Sequence, residues 1–354
     1  MSIADILLAW YEECKRDLPW RKDKDPYKIW VSEVMLQQTK VEVVKAYFER
    51  WVERFPSLES LAEAQEEEVI QYWQGLGYYS RARNLLKGVR EVGASYGGVV
   101  PDNKVEIKGL SGIGDYTAGA ILSIAYNKKE AAIDGNVLRV FSRLYCIEGN
   151  SSSPMVKRQI KELVERDIPV DYPGDFNQAL MDLGATICIP RVPRCPLCPL
   201  EKHCIAKRKN LQQQLPVKTK KTAPVPVRLI AGVLQEGEFF LLRRRPAKGL
   251  LAGMWEFPAI EIQAGADGMA LFPKAFFHET GQEIELGTLL FQCTHTFSHR
   301  KWDISFYYCT GSPGMIPAAS HIHWVNREDW EKISFAGPHR KMAEHLLVGR
   351  GNKD

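Results

Sequence analysis

From the N-terminus to residue 206 the apolar positions recur three and four residues apart. The stripes in IWVSEVMLQQTKVEVVKAYFERW, EEEVIQYWQGL, YTAGAILSIAY, VLRVFSRLY and FNQALMDLGATI are those of amphipathic helices, with Gly, Pro and Asn between them. One such stripe, Ala118, Ile121, Leu122 and Ala125, follows directly on two glycines in the segment LSGIGDY. Alternating β-branched runs are nearly absent here, so residues 1–206 are predicted to form an all-α domain.

The period then changes. Residues 207–227, within KRKNLQQQLPVKTKKTAPVPVRL, are polar, basic and proline-containing with no apolar repeat, the composition of a linker. Its Lys and Arg would also suit phosphates. Beyond it, VRLIAGVLQEGEFFLLRRR reads as two strands around a Glu236-Gly237 turn. WDISFYYCT alternates Trp302, Ile304, Phe306 and Tyr308 with polar residues, as a half-buried strand does, and FPKAFFHETG reads as a helix. Residues 228–350 are therefore predicted to be a second, α+β domain. No internal repeat is visible.

Composition narrows the class without naming a function. At 354 residues, 45% hydrophobic and 25% charged, the chain has the make-up of an ordinary globular protein of more than one domain. Its formal net charge of +4 fits a polyanionic partner but is too small to decide for one. The N-terminal stretch MSIADILLAWYEECKRDLPW is broken by Asp5, Glu12 and Glu13, so it reads as an amphipathic helix rather than a signal peptide, and no apolar run is long enough to span a membrane. A cytoplasmic protein is expected.

Four of the eight cysteines fall between Cys188 and Cys204, spaced Cys188-x6-Cys195-x2-Cys198-x5-Cys204. In a cytoplasmic chain such a cluster points to a metal rather than to disulfides. Four thiolates bind either a [4Fe-4S] cluster or zinc. Zinc sites tend to pair two C-x2-C units, and one is present here, so iron-sulfur is favoured. Arg191, Arg194, Lys202, Lys207, Arg208 and Lys209 surround these ligands and would give the loop a basic surface.

Other residues carry candidate chemistry with an ordinary alternative beside it. Gly112 and Gly114 open a helix, where exposed N–H groups and the helix dipole could hold one phosphate; a bare helix-helix corner has the same sequence. Asp134 in AAIDGNVLRVF stands where an N-cap is expected. Glu33 lies inside the apolar pattern KIWVSEVMLQQTKV, so it is either a buried carboxyl with a raised pKa or a residue of an exposed face.

The segment LSGIGDYTAGAIL followed by Asp134 resembles the helix-hairpin-helix-Gly/Asp signature of base-excision DNA glycosylases. With SEVMLQQT, GLGYYSRARNL and the cysteine spacing added, the chain closely resembles the adenine DNA glycosylase branch from Trp20 to Cys204, and the likeness continues through GLLAGMWEFP and FSH. The resemblance implies a helical glycosylase domain with a [4Fe-4S] cluster loop at 188–204, followed by a Nudix-like domain that recognises 8-oxoguanine. It implies that Glu33 is the acid that protonates N7 of a flipped adenine, that Asp134 faces the positive charge developing on the sugar, and that Asn136 orients the carboxylates. Trp20, Arg21 and Gln178 would contact adenine, and Gln38 (beside Gln37) and Tyr78 would enter the base stack. Gly112 and Gly114 would hold a phosphate, and Cys188, Cys195, Cys198 and Cys204 the cluster.

Where the related endonuclease III branch has a lysine that forms a Schiff base, this chain has Tyr116, which cannot form an imine. The resemblance therefore implies a monofunctional enzyme that removes adenine opposite 8-oxoguanine or guanine and leaves an abasic site, with Tyr116 positioning or shielding the sugar beside Asp134. The alternatives are a bifunctional glycosylase/lyase for oxidised pyrimidines and a non-catalytic iron-sulfur DNA-binding or redox protein. The Nudix-like domain lacks the R-E-x-x-E-E metal motif of nucleotide hydrolases, and Phe297, Ser298 and His299 match the loop that reads the base opposite adenine. Duplex DNA is the implied partner, bound by a monomeric bacterial enzyme of the cytoplasm that joins the nucleoid. Ser111 stands where this hairpin commonly has proline, and it is expected to cap the following helix.

Overall fold

Ser2 starts the first helix with a reciprocal cap: its hydroxyl accepts the Asp5 N–H while the Asp5 carboxylate accepts the Ser2 N–H. Ser57, Asn103 and Ser153 accept N–H bonds at later helix starts, and Pro26, Pro154 and Pro173 sit in first turns, where an N–H has no intrahelical partner. The computed structural model describes residues 1–219, 223–311 and 321–348. Its first part contains α1 (Ile3–Cys14), α2 (Pro26–Leu36), α3 (Val41–Arg54), α4 (Leu58–Glu63), α5 (Glu66–Trp73) and α6 (Ser80–Ser95). It continues with α7 (Lys104–Gly109), α8 (Asp115–Ile124), α9 (Gly135–Leu144), α10 (Pro154–Asp167), α11 (Pro173–Thr186) and α12 (Ile205–Arg208). By its contacts the chain divides into two units, Met1–Lys220 and Lys221–Asp354.

Two apolar cores build the helical unit. One gathers Trp30, Phe48, Trp51, Trp73, Val89 and Leu122 from α2 to α8. The other joins Leu7 and Tyr11 of α1 to Phe141, Ile160, Phe176 and Leu183 of α9, α10 and α11. Each large side chain buried this way contributes roughly 2–3 kcal/mol. The α2–α8 lobe is thus an insertion between α1 and the helices it packs against. Gly119 lets the two lobes approach: a Cβ there would lie 2.2 Å from the Ala131 carbonyl oxygen. The segment that passes α8 so closely leads to Asp134 at the N-cap of α9.

The stretch expected to be a tether is in large part docked on the helical unit. Leu215 is 3% exposed and its carbonyl accepts the Arg143 Nε–H at 2.9 Å. The Val217 carbonyl accepts the Ser151 N–H at 2.9 Å. These backbone and apolar anchors lie among Lys, Gln and Pro, and a reading by composition overlooks them.

In the second unit the strands are β1 (Val225–Glu236), β2 (Phe239–Arg244), β3 (Trp255–Glu256), β4 (Ala259–Ile262), β5 (Glu285–Thr296), β6 (Arg300–Thr310) and β7 (Ile322–Asn326). They form one mixed sheet in which β1 runs parallel to β6 and antiparallel to β2 and β4. β5 flanks β6, and β3 and β7 both pair with β2. Strand alternation puts Leu229, Ala231 and Val233 on one face with Met342 and Ala343 of α14 (Gly337–Val348). Ile230 and Leu234 face the other way, with Phe272 and Phe276 of α13 (Gly268–Thr280). A helix covers each face, giving a Nudix-like α/β layering. The predicted strands are β1, β2 and β6, and FPKAFFHETG forms most of α13. Among the described residues no helix is long and apolar enough to cross a membrane.

Candidate active site

A cavity of about 650 Å³ in the helical unit is lined by Trp20, Arg21, Glu33, Gln38, Tyr116, Asp134, Asn136 and Gln178, together with Arg16, Lys157, Lys161 and Met181. Eight residues singled out from separate parts of the sequence therefore meet at one site. Glu33 is 5% exposed, on the buried side of α2 rather than on an outer face. Burial pushes its carboxyl up to about 7; the Tyr116 hydroxyl, which donates to Glu33 Oε2, works in the opposite direction, while the nearby Asp134 adds to the rise. The phenol expected beside Asp134 is thus bound to Glu33, with the Met181 sulfur 3.8 Å away.

Asp134 is both an N-cap and a cavity residue. Its Oδ1 accepts the N–H groups of Asn136 and Val137 at 2.8 and 2.7 Å, and its Oδ2 accepts Asn136 Nδ2–H at 2.6 Å. Burial raises its pKa, and these three donors oppose the rise by stabilising the anion. The two carboxyls thus have different surroundings. Glu33 sits in an apolar wall where a proton is retained near neutrality, whereas Asp134 has fixed donors that favour its charged form.

The remaining predicted positions sort by distance from this cavity. Trp20 is 6% exposed, edge-on to Phe48 at 5.5 Å, and lines the cavity from a packed position. Arg21 is committed to an ion pair: its two terminal nitrogens donate to both oxygens of Asp182 at 2.8 and 2.9 Å. Gln38 and Tyr78 are exposed and adopt φ of 60° and 50° on two loops. Gly112 lies in the turn before α8 and Gly114 is the N-cap of that helix, outside the lining. Ser111 does not cap α8; its hydroxyl donates to Glu91 instead. In the other unit, Phe297, Ser298 and His299 form the tip between β5 and β6. The Phe297 ring packs on Trp302 at 5.0 Å, and Ser298 and His299 are exposed.

Several supporting residues escaped the sequence reading. Asp182, 1% exposed, takes Arg16 as well as Arg21 and so joins the end of α1 and the Pro19–Arg21 turn to α11 beside Gln178. Arg139 donates to the carbonyls of Cys188 and Gly184 and to Asn136 Oδ1, each at 2.7–2.8 Å, backing the residue that holds Asp134. Arg81 donates to the carbonyls of Val34, Met35 and Gln37 and to those of Leu76 and Gly77, pinning the loops that carry Gln38 and Tyr78. A carboxylate inside the apolar run ALMDLGA was the available signal for the first, because a buried charge requires a partner.

Cys188, Cys195, Cys198 and Cys204 line a separate small cavity with Arg143 and Lys207. All four are unbridged, and Arg143 donates to the Cys188 sulfur at 3.3 Å. Burial pushes the Cys198 thiol up to about 12 and raises Cys195 and Cys204, so thiolates here call for strong positive charge among them. Among the described residues no three His, Cys, Asp or Glu side chains converge closely enough for a single ion. Four unbridged cysteines lining one cavity are a donor set that fits a thiolate-bound metal centre.

The family described as HhH-GPD superfamily base excision DNA repair protein matches residues 31–166, and the NUDIX domain family matches residues 230–345. An adenine DNA glycosylase of Rattus norvegicus is 35% identical over 98% of this chain and 79% of its own length. That of Homo sapiens is 35% identical over 95% and 72%, respectively. A solved thermostable thymine-DNA glycosylase superposes with a TM-score of 0.54 at 32% identity, covering 58% of this chain and 95% of that one.

Proposed function

The chain belongs to the adenine DNA glycosylase family and is a DNA N-glycosylase of base excision repair, and from that premise we propose that it excises adenine paired with 8-oxoguanine or guanine by hydrolysis, leaving an abasic site. The observation that carries this reading is the placement of two carboxyls on one cavity in different surroundings, Glu33 in an apolar wall beside the Tyr116 hydroxyl and Asp134 held by three N–H donors. An adenine turned out of the duplex enters that cavity between Trp20, Arg21 and Gln178. Protonated Glu33 gives its proton to N7, so the base leaves neutral. Ionised Asp134, held by Asn136 and the first N–H groups of α9, faces the oxocarbenium-like sugar until water adds. Tyr116 orients the Glu33 carboxyl and supplies no amine for strand cleavage.

The loops carrying Gln38 and Tyr78 wedge into the base stack and offset an unstacking cost of a few kcal/mol. The turn at Gly112 and Gly114 takes a backbone phosphate. The tip Phe297, Ser298 and His299 reads the base opposite adenine through hydroxyl and imidazole hydrogen bonds. The four cysteines hold a [4Fe-4S] cluster, which when bound fixes the 188–204 loop and its basic side chains as a phosphate-binding surface. The enzyme acts as a monomer on duplex DNA.

Single-turnover incubation with an A:8-oxoguanine duplex, followed by hot alkali, is expected to break the strand at adenine, while borohydride traps no protein-DNA adduct. An alkali-resistant strand would refute the glycosylase reading, and a trapped adduct would favour the bifunctional alternative.

A further inference from the structure

In the turn between α7 and α8 the Ile113 N–H donates to the Leu110 carbonyl at 3.2 Å, and Gly112, the third residue, has φ of 82°. This is the signature of a type II turn, whose second position favours proline because the ring presets φ. Ser111 occupies that position. It leaves φ unrestrained and brings two donors that proline lacks. One carboxylate takes both: the Ser111 N–H donates to Glu91 Oε2 and the Ser111 hydroxyl to Glu91 Oε1, each at 2.7 Å. Charge-assisted bonds of this kind are among the stronger ones available to a protein.

Glu91 belongs to α6, the helix on which the turn rests, since a Cβ on Gly112 would lie 2.8 Å from Asn84 Cβ. On its other side the hairpin is tied by Lys108 of α7 to Asp115 of α8 at 2.5 Å. Position 111 is thereby held from a neighbouring helix rather than from within its own backbone.

We propose that Glu91 is a positioning residue for DNA binding, which grips both donors of Ser111 and so keeps the Leu110–Ile113 turn in the shape that presents the N–H groups of Gly112 and Gly114 to a phosphate. The proposal rests on the reading of that turn as a phosphate site given above. Glu91 acts through Ser111 and replaces the restraint that a proline ring would supply there.

The test is the affinity of the full chain for a duplex carrying a tetrahydrofuran abasic-site analogue, with thermal unfolding followed for each variant. Glu91→Ala is expected to weaken binding roughly three- to tenfold. Removing a negative charge near DNA would by itself tighten binding, so a loss separates the clamp from simple electrostatics. Glu91→Gln, which keeps one acceptor, falls between. Ser111→Pro makes Glu91 redundant, so the double variant should bind within about twofold of Ser111→Pro alone. Unchanged or tighter binding by Glu91→Ala, or a double variant weakened by the full factor, overturns the proposal. Gly112→Ala probes the underlying reading: wild-type affinity in that variant removes the turn as a phosphate site, whereas weak binding there beside a normal Glu91→Ala removes the role of Glu91 alone.

Discussion

The hydroxyl of Tyr116 on α8 donates its hydrogen bond to the carboxyl of Glu33 on α2. A donor favours the ionised carboxylate, so this bond restrains a pKa that burial lifts, and the balance stands at about 7. Tyr116→Phe is therefore expected to raise the Glu33 pKa further and to move the alkaline limb of single-turnover excision to higher pH. A limb that stays in place or moves down would show that the phenol does not govern the titration of Glu33.

A carboxyl with its folded pKa near 7, against 4.5 for a solvated glutamate, binds its proton more tightly in the folded protein than in the unfolded chain. Its contribution to stability is complete below the unfolded value and is lost as pH rises through the folded one. Glu33→Gln should abolish excision and, near pH 8, stabilise the fold by roughly 2–3 kcal/mol. Urea unfolding near pH 5 and near pH 8 measures this, and a gap that does not widen with pH contradicts it.

Asp182 has the opposite sign. Burial favours its neutral form, but the Arg21 and Arg16 guanidinium groups hold its carboxyl below the usual range. Its stabilisation is present above the unfolded pKa and disappears as pH falls through the folded one. Asp182→Asn should destabilise the protein by about 2–4 kcal/mol at neutral pH and much less in acid. It should also lower the excision rate, because the walls bearing Arg21 and Gln178 lose their common tie.

The anchors at Leu215 and Val217 make a prediction about truncation. A chain ending after residue 206 leaves the Arg143 Nε–H and the Ser151 N–H without those carbonyls, whereas one ending after residue 219 keeps them. The shorter fragment is expected to be less stable by about 2–4 kcal/mol. Equal thermal midpoints would mean that the segment is a free tether after all.

Local pattern made α1, α5, α8, α9, α11, most of α13, β1, β2 and β6 legible, and the stripe that is α2 and α3, because apolar spacing is set by which face of each element is buried. The same pattern left Glu33 with two readings, and burial inside α2 decided between them. What stayed hidden depends on partners remote in sequence. Arg21 and Asp182 are 161 residues apart, Arg139 and Cys188 49, and Arg81 and Gln37 44. At Ser111 a local rule favoured a cap, and a carboxylate on another helix was the better acceptor. The resemblance to adenine DNA glycosylases supplied roles for Gln38, Tyr78 and the Phe297 tip that no local physical pattern in the chain distinguishes from surface loops.

Because α1 shares its core with α9, α10 and α11, the order of synthesis and the order of assembly differ. The lobe from Leu18 to Leu122 has all its packing partners in one continuous stretch and is able to collapse as it leaves the ribosome. Leu7 and Tyr11 emerge before it, yet must wait with their apolar sides exposed until Phe176 and Leu183 arrive. The nascent chain is therefore able to form a half-site for the acid before α1 and α11 have packed around the helix that bears the counter-charge.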